Sequence, residues 1–164
     1  MKQNILVLVG VLSLAAPAVA FAHDGPGGNF ALGVGLGSPT GLSLEMSSSR
    51  WTSFELAAGV DVFEGRGGYG HLVWKQSLAR LAYGATVSVP FYLGVGGFIF
   101  DVDTGMEDDA DLGVRVPVGL NFDFQRAPVQ LFLELALNAA LVHVNHEDDG
   151  WFAAGGYGGA RVWF

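Results

Sequence analysis

Asp111-Leu-Gly-Val-Arg-Val-Pro-Val-Gly-Leu-Asn-Phe-Asp-Phe124 and, after a short break, Val129-Gln-Leu-Phe-Leu-Glu-Leu-Ala-Leu-Asn-Ala-Ala-Leu141 decide the fold. In the first stretch every even position from Leu112 to Phe124 is apolar. The odd positions between them are Gly113, Arg115, Pro117, Gly119, Asn121 and Asp123. In the second stretch the odd positions become apolar, and Gln130, Glu134 and Asn138 fall between them. Only a strand turns successive side chains to opposite faces, so this is an antiparallel hairpin with one wholly apolar face. Its break is Gln125-Arg126-Ala127-Pro128. The arms run to about 14 and 16 residues, against roughly 5–6 for an ordinary globular strand. That length suits a tilted strand crossing a membrane.

The chain has 164 residues and no cysteine, enough for one domain. The one long apolar run, Ile5 to Ala22, follows Lys2, contains Pro17 and ends in Ala18-Val19-Ala20 and Ala20-Phe21-Ala22. A basic start, an apolar stretch and small-x-small sites predict a secretory signal peptide over 1–22. Residues 23–28 then form a flexible lead-in and 29–164 the barrel. Without cysteine the mature chain has no disulfide and no lipid-anchor site. Eight basic against sixteen acidic residues give a net charge of −8. Such a balance excludes nucleic acid as a partner.

Eight strands are predicted, and they can close in two ways. A soluble barrel would turn the apolar face inward, a membrane barrel outward. An eight-stranded barrel has room only for modest interior side chains. The mixed face is crowded with Gly33, Gly35, Gly59, Gly113, Gly119, Gly155 and Gly159, whereas the other carries Leu, Val and Phe throughout. Arg115 facing lipid would cost roughly 2–4 kcal/mol at mid-bilayer. The expected fold is therefore all-β: a closed, eight-stranded, antiparallel, up-and-down transmembrane barrel with a filled polar interior. Arg115, Asn121 and Asn138 should point into it. Pro90 and Pro117 should each mark a bulge, as should Gly96-Gly97.

Three further motifs carry a resemblance: Gly37-Ser38-Pro39-Thr40-Gly41-Leu42, Arg115 to Leu120, and Pro128 to Glu134. The end, Tyr157-x-Gly159-x-x-Val162-x-Phe164, looks like the signal that outer-membrane barrels present to their assembly machinery. The mature chain thus resembles the small outer-membrane barrels of the OmpA/OmpX type. It is most similar to a group with G-x-P-T-G-L and R-V-P-x-G-L motifs and no settled activity. The resemblance implies the outer membrane of a Gram-negative-type bacterium, with both termini in the periplasm. Its partners would be outer-membrane lipid, lipopolysaccharide and the assembly machinery, and the barrel would be a monomer.

On that topology the outer loops centre on Ser38-Pro39, 63–68, 104–110 and 145–150. Periplasmic turns fall at 47–49, 79–85 and 125–128. Trp51, Phe54, Phe91, Phe122, Phe124 and Phe164 gather near one rim, and Phe98, Phe100, Trp151 and Phe152 near the other, as interfacial girdles do. Two outer loops are acidic, with Glu107, Asp108 and Asp109 in one and Glu147, Asp148 and Asp149 in the other. Such loops are candidates for Ca²⁺ or Mg²⁺ shared with lipopolysaccharide, or for an extracellular protein partner. No cofactor is otherwise expected. His143, His146 and Glu147 lack the further ligand a transition-metal site needs.

The expected role is a structural barrel displaying short acidic loops, as an adhesin or surface-binding protein does. The competing reading is a lipid-modifying enzyme of the lipid A deacylase or acyltransferase type. It needs a serine, a histidine and an acid within reach. Ser38 is the only serine at the outer rim, His143 is turned to lipid by parity, and no H-x-S pairing exists. The reading is therefore non-enzymatic. Finally, pairing Val144 with Trp151 across the loop Asn145 to Gly150 sets Glu134 opposite Arg161 and Asn138 opposite Tyr157. Lumenal ion pairs Glu134–Arg161 and Glu55–Lys75 are predicted from this register.

Overall fold

The computed structural model describes residues 28–60, 67–103, 108–144 and 152–164, without the side chains of 101–103, 108, 109, 143 and 144. The expected signal peptide and nearly all of the lead-in lie outside the described residues. Eight strands follow in order: β1 (Phe30–Gly37), β2 (Thr40–Ser49), β3 (Thr52–Val60), β4 (Gly68–Tyr83), β5 (Val87–Asp103), β6 (Asp108–Phe124), β7 (Val129–Val144) and β8 (Phe152–Trp163). Each pairs antiparallel with the next, and β8 pairs with β1. The result is an all-β, closed, up-and-down barrel, so no sheet edge runs its full length unpaired.

The β6–β7 hairpin carries the expected alternation. Arg115, Pro117, Gly119 and Asn121 are buried, and Val114, Val116 and Val118 are on the outer surface. Across the break, Phe132, Glu134, Ala136 and Asn138 are buried while Leu131, Leu133, Leu135 and Leu137 face out. One irregularity, at Leu112/Gly113, skips Leu141: pairing passes from Gly113 with Ala140 to Leu112 with Val142, and Leu141 and Val142 are both exposed.

The first turn explains the Gly37-to-Gly41 motif in structural terms. Gly37 has φ of +123°, a conformation that side chains rarely adopt. The Thr40 hydroxyl accepts from Gly37 N–H at 3.0 Å and donates to Gly37 C=O at 3.1 Å. The lower turns sit at 50–51, 84–86 and 125–128, so residues 47–49 and 79–83 belong to strands rather than to turns.

The prolines do not produce bulges. The β5–β6 register is unchanged from Val87↔Phe124 to Asp103↔Asp108; pairing is simply interrupted beside Pro90 and Pro117, which have no N–H to give. Gly96 and Gly97 also pair in unbroken register with Val73 and Leu72. The register shifts of this sheet region lie instead in β4, between Ser77 and Ala79 and between Arg80 and Ala82. Each inserts an extra residue and bends the strand.

The lumen is fuller than the glycine count suggests. Tyr69, Tyr92, Phe98, Phe100, Phe132, Tyr157 and Trp163 are all buried there. Phe98 and Phe100 therefore do not belong to an outer girdle; with Tyr69 and Ala140 they form a cluster across the loop end of the lumen. Glycine makes this packing possible. A Cβ at Gly35 would stand 2.0 Å from the Tyr157 ring, and one at Gly119 would stand 2.5 Å from the Tyr92 hydroxyl. Gly35→Ala is accordingly expected to cost about 1–3 kcal/mol by overpacking. Urea unfolding in lipid vesicles checks this, and adding Tyr157→Leu to the same chain should return part of the loss.

The outer surface is apolar almost without interruption. Leu135 is 66% exposed, Leu36 71% and Phe152 87%. Trp51, Phe54 and Phe164 are exposed at the turn end, as expected of a girdle. Phe91, Phe122 and Phe124 are half-buried there. Trp151 lies outside the described residues.

Candidate functional site

What distinguishes this barrel is the charge sealed inside it. Glu45 of β2 and Glu55 of β3 are directly opposed partners, both lumenal and both buried. Two carboxylates so placed repel one another, so they require cations between them. Lys75 of β4 supplies one, its Nζ standing 2.7 Å from an oxygen of each acid. Arg161 of β8 supplies the other, forming ion pairs with both Glu45 and Glu55. Its Nε also donates to Ser43 Oγ at 2.7 Å, and Ser53 Oγ donates to Glu45 at 2.7 Å. Two acids and two bases make this lower cluster electrically neutral.

Arg161 reaches Glu45 because of what lies between them. Its cross-strand partner on β1 is Gly33, and Gly33 is in turn opposite Ser43. With no side chain at 33, the guanidinium passes over β1 to β2 and β3. It also lies 3.8 Å above the Phe132 ring centre, a short cation–π contact.

A second cluster lies nearer the loop end. Arg115 of β6 donates to Glu134 at 2.7 Å, to Asn138 Oδ1 at 3.1 Å and to the Tyr69 hydroxyl at 3.1 Å. It too is neutral, one acid against one base. Tyr92 joins the two clusters: its hydroxyl donates to Glu134 at 2.9 Å, and Lys75 Nζ lies 4.7 Å from its ring centre. His71 lies between them as well, with Nε2 3.9 Å from Glu55 and its ring edge-on to Tyr157. Buried charge is tolerable only when paired and hydrogen-bonded. Each of these arginine, lysine and glutamate side chains has an ion-pair partner, while Arg115 Nε and the two His71 nitrogens are left without a hydrogen bond.

The expected pairs divide. Glu55–Lys75 forms, although diagonally: Glu55 is opposite Val73, and Lys75 opposite Ser53. Glu134–Arg161 does not. The β7–β8 register sets Glu134 opposite Tyr157 and Arg161 opposite Gln130, displaced by two strand repeats from the expected one. Both residues stay inside because an even slip preserves the faces. Each then finds another partner, Arg115 for Glu134 and the two acids for Arg161. Arg115, Asn121 and Asn138 are buried as predicted. Sequence reasoning missed Glu45 and Tyr92 as partners, although Glu45 alternates in step with Ser43 and parity alone places it inside.

Of the proposed assembly signal, Tyr157 and Gly159 lie on the lumenal face, and Val162 and Phe164 are exposed. Of the acidic loop residues, Asp108 and Asp109 fall in β6, opposite Asp103 and Val102. Their side chains, and all of Glu107, Glu147, Asp148 and Asp149, lie outside the described residues. So do His146 and the side chain of His143, and with it any approach to Ser38. Among the described residues no group of three acids or histidines stands together as metal ligands do.

The fold and lumen define a class: a closed, eight-stranded antiparallel barrel with a polar, charge-paired interior and an apolar exterior. Comparison with known proteins adds no relative, since no family model, no curated protein and no solved structure matches the chain.

Proposed function

We propose that the chain is a small outer-membrane barrel of the OmpA/OmpX type, exported by its N-terminal segment and inserted by the barrel assembly machinery. The inversion of ordinary globular packing carries the reading: leucine, most of the valine, Trp51 and Trp74 outside, and Arg115, Arg161, Lys75, Glu45, Glu55 and Glu134 inside. In water the exposed apolar area would far exceed what a soluble monomer shows. In lipid it is the favourable surface, and closing the sheet satisfies every strand edge the bilayer could not hydrate.

Its function is to display short acidic loops at the cell surface as an adhesin or surface-binding protein, without catalysis of its own. Conduction does not fit, because the lumen is crossed by paired charges and packed rings. The protein should fractionate with the outer membrane and change gel mobility on heating, as closed barrels commonly do. Recovery from the periplasm without detergent would overturn the reading.

The acidic loops, Glu107 to Asp109 and Glu147 to Asp149, would share Ca²⁺ or Mg²⁺ with lipopolysaccharide. Adding millimolar Ca²⁺ to chelated protein should then raise its melting temperature when lipopolysaccharide is present. An unchanged melting temperature would leave these loops as solvated charge.

A further inference from the structure

Below the lower cluster the lumen opens at the turn end into a cavity of about 390 Å³. Lys75, Glu45 and Tyr92 form its floor, and its wall is largely hydroxyl and amide. That volume falls within the range of small-molecule sites. Two features of the wall are unspent. Asn121 is 6% exposed and lines the cavity, yet its Oδ1 accepts no hydrogen bond. A buried carbonyl left so is costly unless something donates to it. The second feature is Arg80. Two extra residues in β4, at the shifts after Ser77 and Arg80, bring Ser77, Arg80 and Tyr83 together onto the cavity wall. Regular alternation would have put Arg80 on the opposite face. Its guanidinium carbon lies 5.3 Å from the Trp51 ring centre and 5.5 Å from that of Tyr83. Held by two rings, it has no ion pair among the described residues.

The wall thus presents the guanidinium of Arg80, with that of Arg50 also in the lining, and two acceptors, Asn121 Oδ1 and the Asp123 carboxylate, which takes Gln130 Nε2 at 2.8 Å. A ligand matching it carries a carboxylate for Arg80 and hydrogen-bond donors for the acceptors. Ser47 and Ser53 give their protons to Ser49 C=O and to Glu45 and so present acceptors, while Ser88 can both donate and accept, which suits a polyol. We infer that this vestibule binds a sugar acid: a hydroxylated ring bearing a carboxylate. Only the compartment from which the ligand comes, the periplasm, rests on the outer-membrane reading.

The test is titration of the purified full barrel in detergent micelles with glucuronate, glucose and acetate, following the Trp51 indole N–H resonance. Glucuronate should bind saturably and at least ten-fold more tightly than either glucose or acetate. Arg80→Gln, at an exposed position, should remove that ten-fold advantage over glucose. Asn121→Ala should weaken glucuronate about five-fold, with heat-modified gel mobility confirming that both variants fold. The inference is overturned if glucuronate binds no better than acetate, or if Arg80→Gln leaves its affinity unchanged. Either failure would leave the membrane reading intact, because the purified barrel is used throughout.

Discussion

Arg161→Met should destabilise the barrel by about 3–5 kcal/mol. The substitution keeps a long chain over Phe132 and removes only the charge and its donors. What remains is Glu45 directly opposite Glu55 with Lys75 alone between them. One uncompensated carboxylate is then left where Glu45 is 2% and Glu55 0% exposed. Adding Glu45→Gln should restore neutrality and recover part of the loss, a coupling that a double-mutant cycle reads directly. Equilibrium urea unfolding in phosphatidylcholine vesicles provides the measurement. A cost below about 1 kcal/mol, the range of an exposed pair, would mean that the cluster is hydrated and contributes little.

Arg115→Met should cost a similar amount, about 3–5 kcal/mol, by stranding Glu134. Of the partners that the carboxylate now has, only the Tyr92 hydroxyl would remain. The Tyr69 hydroxyl and Asn138 Oδ1 would each lose a donor at the same time. Glu134→Gln in the same chain should recover part of the cost, because a neutral amide needs no counter-charge. Tyr92→Phe should be milder alone but should couple to both arginine variants, since Tyr92 touches both clusters. Strict additivity of Arg115→Met and Tyr92→Phe would show that the bridge carries no energy.

Both predictions rest on pairings of which the sequence discloses only some. The faces are legible because period-two alternation is long and clean in β6 and β7, so Arg115, Asn121 and Asn138 can be placed inside by counting. Register is not legible in the same way. A slip of two or four residues moves no side chain to the other face, so parity cannot separate Glu134–Arg161 from Glu134–Arg115. β8 has two neighbours, and the contact that fits Arg161 runs across Gly33 to β2 and β3. No count along a single hairpin includes that closure. Phe98 and Phe100 fail for another reason. Phe98-Ile99-Phe100 is apolar at every position, so alternation there says nothing about which residue points inward. The β4 bulges were hidden in Ser77 to Tyr83, whose serine, alanine, leucine and arginine follow neither face pattern.

The central claim is that the leucine face meets lipid and the charged face does not. Leu133, Leu135 and Leu137 point outward along one strand, and the chain has no native cysteine. Each can therefore be replaced singly by cysteine, spin-labelled and studied in outer-membrane vesicles. Collision with oxygen, which concentrates in hydrocarbon, should exceed collision with a water-soluble nickel chelate at all three positions, most strongly at the one nearest the bilayer centre. Greater accessibility to the nickel chelate at all three would contradict the account and return the barrel to water.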